Sequence, residues 1–534
     1  MFFRPHSLFL SLALIHLIVV PFRADAAPAR SQPNILFIFA DDQSHATIHA
    51  LGNDEIWTPH LDTLVSQGTA FTNVYNMGGW NGAICIASRT MLNTGRSLWR
   101  AHSVNGRLDE LAQRGQLWSL LLSKAGYTTY NTGKWHIEIP PESIFDHQIH
   151  ERPGMPRDHW NTRPAGVAPT REFIESIAGY NRPIENVPDN WAPDDPAHGG
   201  FWEGGKHWSE VLADDAEQFL KAAATDEHPF FMYLAFNAPH DPRQAPKRFV
   251  DLYPRDDIAI PETFLPLYPF KDAIGCVPTL RDEALAPFPR TPYAIRAHRQ
   301  EYYAIISHMD EQIGRILDVL EATGQRDNTY IIFTADHGLA CGNHGLLGKQ
   351  NMYDHSMKPP LIIVGPDIPQ NERRDALVYL QDIMPTSLEL AGVAPPEYVD
   401  FNSLLPLIRD KSKQSLYPAL YGAYLRDAQR MIRKGNLKLI VYPGANRIRL
   451  YDLAEDPKEM NDLSEHPQHL PVIKELFREL LELQVSMDDT LDLRKAFPRI
   501  IEARENIKSR VNAQLLETSL QQKPSEPSCS EIVL

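Results

Sequence analysis

Two stretches of this chain end in the same way, and that limits the folds open to it. Pro33-Asn34-Ile35-Leu36-Phe37-Ile38-Phe39-Ala40 is a continuous apolar run of strand length that stops at Asp41-Asp42-Gln43. Asn328-Thr329-Tyr330-Ile331-Ile332-Phe333-Thr334-Ala335 is a second, and it stops at Asp336-His337-Gly338. A strand without polar alternation is buried on both faces, as in the parallel sheet of a layered α/β domain. Open sheets of that kind place their chemistry at the carboxyl ends of the strands. Adjacent carboxylates there repel each other and lose hydration, which is costly unless a cation neutralises them. A hard divalent ion, Ca²⁺ or Mg²⁺, suits such oxygen ligands. For Asp41-Asp42 taken alone, the competing reading is a loop pair capping the next helix.

Between these runs lies Ala83-Ile84-Cys85-Ile86-Ala87-Ser88-Arg89-Thr90-Met91-Leu92-Asn93-Thr94-Gly95-Arg96. A cysteine at a helix start can be merely a small buried hydrophobe. Here, however, the run resembles the maturation signature of the formylglycine-dependent sulfatases, C-x-P-S-R with a T-G-R tail, with Ala87 where Pro is commonest. Further segments extend the resemblance. Asp336-His337-Gly338 continues into Gly342-Asn343-His344-Gly345 and Lys349, similar to the family's second metal segment. Gly133-Lys134-Trp135-His136 matches its G-K-W-H element, and Ala238-Pro239-His240-Asp241-Pro242 its A-P-H-x-P loop. Leu450-Tyr451-Asp452-Leu453 resembles a strand of the small C-terminal sheet. From about Asn34 to Asp462 the chain is identified as a sulfatase of the alkaline phosphatase superfamily, closer to the Asp-His subgroup of iduronate- and choline-sulfatase-like enzymes.

The resemblance implies an α/β fold, a large mixed sheet sandwiched by helices, with a small C-terminal α+β subdomain. It implies a sulfuric ester hydrolase whose nucleophile is the hydrate of formylglycine, made from Cys85 by a formylglycine-generating enzyme. Asp41, Asp42, Asp336 and His337, with an oxygen of the modified Cys85, would hold one Ca²⁺ or Mg²⁺. Arg89 would hold the hydrate, and Lys134 and Lys349 would clamp sulfate oxygens. His136 would be the base for turnover and His240 the acid that protonates the leaving alcohol. The aldehyde hydrate offers two hydroxyls, so the group that attacks sulfur need not be the one that expels it. The expected substrate is a sulfated carbohydrate or another sulfate ester. Alternatives on the same scaffold are a phosphodiesterase or phosphonate monoester hydrolase, or a secreted binding protein that has lost catalysis.

Composition narrows the setting. A formal charge of −16 excludes a broadly basic nucleic-acid binder, so cations for an anionic substrate must gather locally. Arg4, an apolar segment from Leu8 to Val20 and Ala24-Asp25-Ala26 read as a signal cut after Ala26. Export to the periplasm or medium follows, with no membrane span expected. Four cysteines are too few for a disulfide scaffold; Cys341 reads as a buried apolar residue. The chain divides into a leader at 1–26, a catalytic domain at 27–416, a C-terminal α+β subdomain at 417–495, and a helical extension with a disordered tail at 496–534. Helices are expected at Trp208 to Ala223, about His298 to Thr323, Gln381 to Ala391 and about Pro471 to Val485. Pro140 to Lys206 has no sustained period and reads as an irregular insertion. Its His150, Arg152, Trp160, Arg163, Trp202 and His207 are candidate pocket contacts.

Overall fold

The first apolar run, β1 (Asn34–Ala40), is buried along its whole length inside an eight-stranded sheet. In the computed structural model, which describes Met1 and residues 32–156, 170–413, 415–498 and 500, seven further strands complete that sheet. They are β2 (Thr69–Phe71), β3 (Thr128–Lys134), β4 (His147–Arg152), β5 (Phe230–Ala235), β6 (Thr329–Ala335), β7 (Leu361–Val364) and β8 (Glu372–Arg374). The order is β8-β2-β7-β6-β1-β5-β3-β4. Strands β6, β1, β5, β3 and β4 run parallel to their neighbours, while β7 is antiparallel to β6 and to β2. Parallel strands end on one edge, so the acids after β1 and after β6 arrive together.

Alternate residues of β1 serve opposite faces. Leu36 and Ile38 join a core beneath α2 (Trp208–Ala223) and α3 (Pro292–Ala322), whereas Ile35, Phe37 and Phe39 join a core built around Trp118. Both faces are therefore covered, the architecture expected of unbroken apolar strands. The helix α1 (Ile84–Thr94) is wedged between layers: Leu92 packs with the Trp118 core, and Ile84, Ala87 and Met91 pack with a third core. That third core lies under a second sheet, β9 (Leu420–Tyr424), β10 (Gln429–Lys434), β11 (Leu437–Tyr442) and β12 (Arg447–Asp452), backed by α4 (Leu470–Ser486). A two-residue strand, Gly78–Gly79, pairs with β9 and feeds straight into α1.

Helix α2 spans the expected residues, and the expected helix at His298 begins earlier, at Pro292, because Thr291 caps it by accepting from Ala294 N at 3.1 Å. The insertion is less irregular than expected. It contributes β4, an edge strand with exposed residues on both faces and therefore no apolar alternation to betray it. The leader after Met1, Trp160, Arg163, Cys529 and the tail beyond residue 500 lie outside the described residues.

Candidate active site

Where β1 ends, the backbone turns sharply: Asp42 has φ 67°, a left-handed conformation that is costly for a non-glycine residue. The turn directs both carboxylates into one buried cluster. Asp42 N donates to Asp336 Oδ1 at 3.1 Å, Asp41 N to Ala238 O at 3.0 Å and Asp336 N to Ala40 O at 3.3 Å, which ties the ends of β1, β5 and β6 together.

Cys85 enters in the first turn of α1, fully buried. Its Sγ lies 3.3 Å from His337 Nε2, 3.4 Å from Lys349 Nζ and 3.8 Å from Asp42 Oδ1. One turn along, Arg89 Nε donates to Asp336 Oδ2 at 3.1 Å and Nη1 to the Lys134 carbonyl at 2.9 Å, with its guanidinium over the Phe39 ring. The i, i+4 spacing on one helix face aims Cys85 and Arg89 at the same acids. Ser88 Oγ donates to the Asp336 carbonyl at 2.7 Å and locks the helix to β6. Lys134 ion-pairs with Asp41, and Lys349 Nζ donates to both oxygens of Asp42 at 2.8 Å.

These environments push the ionisable groups apart. Burial and the neighbouring Asp336 and Cys85 hold the Asp41 carboxyl well above its ordinary range. For Asp336 burial acts in the same sense but is outweighed by His337, Arg89 and Lys134, leaving it well below that range. Burial pushes the Cys85 thiol up, against the pull of Lys134 and Lys349. Burial, then Lys134, pushes His136 well down, and burial, then Lys349, does the same to His240. His240 Nδ1 donates to the Asp241 carbonyl at 2.7 Å, so its Nε2 is turned toward Asp42 at 3.8 Å. His136, at φ 57°, has a buried Nδ1 without a partner and packs so closely on Gly154 that a Cβ there would stand 2.3 Å from its Cε1.

Ligand atoms of Asp41, Asp42, Cys85, Asp336 and His337 all lie within 4.8 Å of one another. Asp41 Oδ1 is buried without a hydrogen-bond partner. Three carboxylates with an unsatisfied oxygen fit a hard divalent cation, with His337 the one softer donor. Residues 33–393 match the Sulfatase family model, and residues 342–486 match the model for the C-terminal part of N-sulphoglucosamine sulphohydrolase.

The chain belongs to the sulfatase family.

It is a sulfuric ester hydrolase by that membership. An N-acetylglucosamine-6-O-sulfatase of Bacteroides thetaiotaomicron is 28% identical over 564 residues, 91% of this chain and 92% of the relative. Among solved structures, a protein bound to its substrate D-glucosamine-2-N,6-O-disulfate superposes with TM-score 0.66 at 24% identity, covering 86% of this chain and 99% of the other. A phosphonate monoester hydrolase of Agrobacterium radiobacter superposes with TM-score 0.62 at 21% identity, covering 85% and 96%. The fold alone therefore does not separate sulfate from phosphonate esters.

In this sulfatase the cluster opens into a cavity of about 590 Å³ lined by Cys85, His136, His240 and Lys349 among others. Of the insertion's described candidates, none lines it. His150 pairs with Asp215 at 2.9 Å, Arg152 with Glu203, and His207 is buried as the cap of α2. The cavity wall includes residues that sequence reasoning passed over: Gly154, Thr279, Leu280, Arg281, Asp282 and Gln350. Arg281 donates to Asp241 Oδ1 at 2.9 Å and to Asp282 Oδ1 at 2.8 Å and stands 3.3 Å from His240 Nε2. It comes from a Pro-rich stretch without periodicity, so no signal in the chain marked it.

Among the described residues no helix is long and apolar enough to cross a membrane.

Proposed function

We propose that this sulfatase hydrolyses sulfate esters of a carbohydrate, with formylglycine formed from Cys85 as the nucleophile. The observation that carries this reading is the position of Cys85: buried in the first turn of α1 and, with Asp41, Asp42, Asp336 and His337, inside one constellation of ligand atoms. A structural cysteine has no need of three acids and two lysines around it.

Asp41, Asp42, Asp336 and His337 would hold a divalent cation, Ca²⁺ in preference to Mg²⁺, which when bound supplies positive charge for the nucleophile and the sulfate oxygens. Oxidised to the aldehyde and hydrated, residue 85 supplies two hydroxyls, one for attack and one for release. Lys134 and Lys349 rest on Asp41 and Asp42 in this structure; with the cation compensating those carboxylates, their ammonium groups are free to face sulfate oxygens. Arg89, anchored on Asp336, offsets charge at residue 85. His136, kept neutral by burial, is suited to accept a proton. His240 is also neutral here, and a sulfate engaged by Lys349 offsets a repulsion that keeps it so, which equips it to protonate the leaving oxygen. The apolar segment Leu8 to Val20 followed by Ala24-Asp25-Ala26 supports export. The N-acetylglucosamine-6-O-sulfatase relative supports a sugar substrate.

The test combines mass spectrometry of the peptide containing residue 85 with a panel of sulfated saccharides, 4-nitrophenyl sulfate and a phosphonate monoester. The expected outcome is an aldehyde or hydrate at position 85, a higher kcat/KM on a sulfated sugar than on the phosphonate, and no turnover by Cys85→Ala. Full activity with an intact thiol would overturn the reading.

A further inference from the structure

Seven arginines are buried among the described residues, and six of them face a carboxylate. Arg89 pairs with Asp336, Arg182 with Asp189 and Glu301, Arg290 with Glu283, Arg374 with Glu372, Arg430 with Asp489 and Arg433 with Asp354. Arg243, only 3% exposed, makes no ion pair with any described residue. Its Nε has no hydrogen-bond partner, and its Nη1 meets only the neutral ring of His298, at 3.3 Å from Nδ1. A guanidinium cannot relieve this by losing its proton, and an uncompensated buried charge costs several kcal/mol. Nearby acids are already engaged: Asp241 by Arg281, and Glu301 by Arg182.

Arg243 lines a second cavity, about 210 Å³. Tyr180 and Trp191 form its aromatic walls. Trp191 is held by stacking on His198, ring centroids 4.9 Å apart, and by Gly179, where a Cβ would approach the indole to 3.3 Å. The buried indole Nε1 has no partner. This cavity shares a wall with the catalytic one: Asp241 lines the second, its neighbour His240 lines the first, and Arg281 joins Asp241 to Tyr180 Oη at 3.1 Å. A second link runs inward. The Arg243 guanidinium lies 5.6 Å from the centre of the Tyr302 ring, and Tyr302 Oη donates to the Asp42 carbonyl at 2.6 Å.

A pocket with aromatic walls and a cation that has no ion pair, lined also by the carboxylates of Asp241 and Glu301 that other arginines already engage, fits a ring that carries an acid group. We propose that this cavity binds an anionic sugar unit adjoining the sulfated one, with Arg243 as counter-charge, so that the substrate is an acidic oligosaccharide rather than an isolated neutral sugar. This rests on the sulfated-carbohydrate reading above and narrows it.

Binding is tested without turnover by thermal unfolding in glucuronate and, separately, in glucose. Glucuronate should raise Tm in the wild type and in Lys349→Ala alike, glucose should not, and Arg243→Gln should lose the effect. Arg243→Gln should itself be no less stable than wild type without ligand, since it removes an unpaired buried charge; Trp191→Phe is the second variant should it fail to fold. Absence of a glucuronate effect, or an effect that survives Arg243→Gln and disappears in Lys349→Ala, would overturn the site. The substrate claim is tested by KM. Arg243→Gln and Trp191→Phe should raise KM for a sulfated disaccharide containing a uronate by about tenfold, leaving KM for 4-nitrophenyl sulfate within about twofold. An equal rise on both would refute the subsite even if glucuronate binds. The thermal arm needs no catalysis, so its failure is distinguishable from failure of the sulfatase reading.

Discussion

At the scale of single residues, burial shapes the charge of the groups in the cluster: it holds the Asp41 carboxyl up and keeps both His136 and His240 neutral. In His240, a neutral imidazole whose Nδ1 donates to the Asp241 carbonyl can take up a proton only at Nε2, on the side of Asp42, and the acid proposed for the leaving oxygen would act from there. A sugar alkoxide needs that proton and a nitrophenolate does not. His240→Ala is therefore expected to lower kcat on a sulfated sugar by about 10²–10⁴-fold while affecting 4-nitrophenyl sulfate far less; equal losses would reduce His240 to a binding residue. Asp336 has a heavier duty, holding Arg89 through Oδ2 and receiving Asp42 N on Oδ1. Asp336→Asn should reduce kcat by several orders of magnitude on both substrates and weaken retention of divalent cation, measured by metal analysis after gel filtration. Retention of metal and rate together would remove Asp336 from the ligand set.

At the scale of elements, a helix end shows how a buried histidine serves as a cap. Helix α2 starts with an unusual cap: His207 Nδ1 accepts from Ser209 N at 3.1 Å while Nε2 lies 3.0 Å from the Gln244 carbonyl. Both ring nitrogens are occupied only if the ring is neutral and protonated at Nε2, and burial accordingly pushes its pKa well down. The unfolded chain binds a proton near pH 6.5 that the folded chain refuses, so this contribution is fully present above that pH and is lost as pH falls below it, by about 1.4 kcal/mol per unit. His207→Asn keeps a capping oxygen and removes the titration. Urea unfolding at pH 7.5 and 5.5 should show a smaller loss of stability in the variant than in the wild type; parallel losses would show that His207 titrates freely in the fold.

At the scale of the whole molecule, the second sheet packs on the Cys85 helix and is also joined to it in sequence by a short connection. Gly78, at φ 93°, pairs with Ala423 so closely that a Cβ would stand 1.9 Å from the Ala423 carbonyl oxygen. Six residues later α1 begins. Gly78→Ala is expected to cost about 3 kcal/mol and to reduce activity as well, because the seam and the Cys85 helix shift together. Circular dichroism melts and kcat on one preparation check this, and a stable variant with reduced activity, or the converse, would show the two to be independent.

What the chain determined by itself was the set of chemical parts: two unbroken apolar strands, the acids behind them, Cys85 with Arg89 one helical turn on, and the lysine and histidine motifs. Those follow from local periodicity, which needs no partner to be read. Only tertiary structure decided which parts meet. Parallel pairing of β6, β1, β5 and β3 brings Asp41, Asp336, Lys134 and His240 to one edge, and the sequence does not state its own strand order. The same holds for Arg281, Gly154 and Arg243. Their surroundings come from segments distant in the chain, so an arginine that is unpaired in the fold looks in sequence like any other arginine.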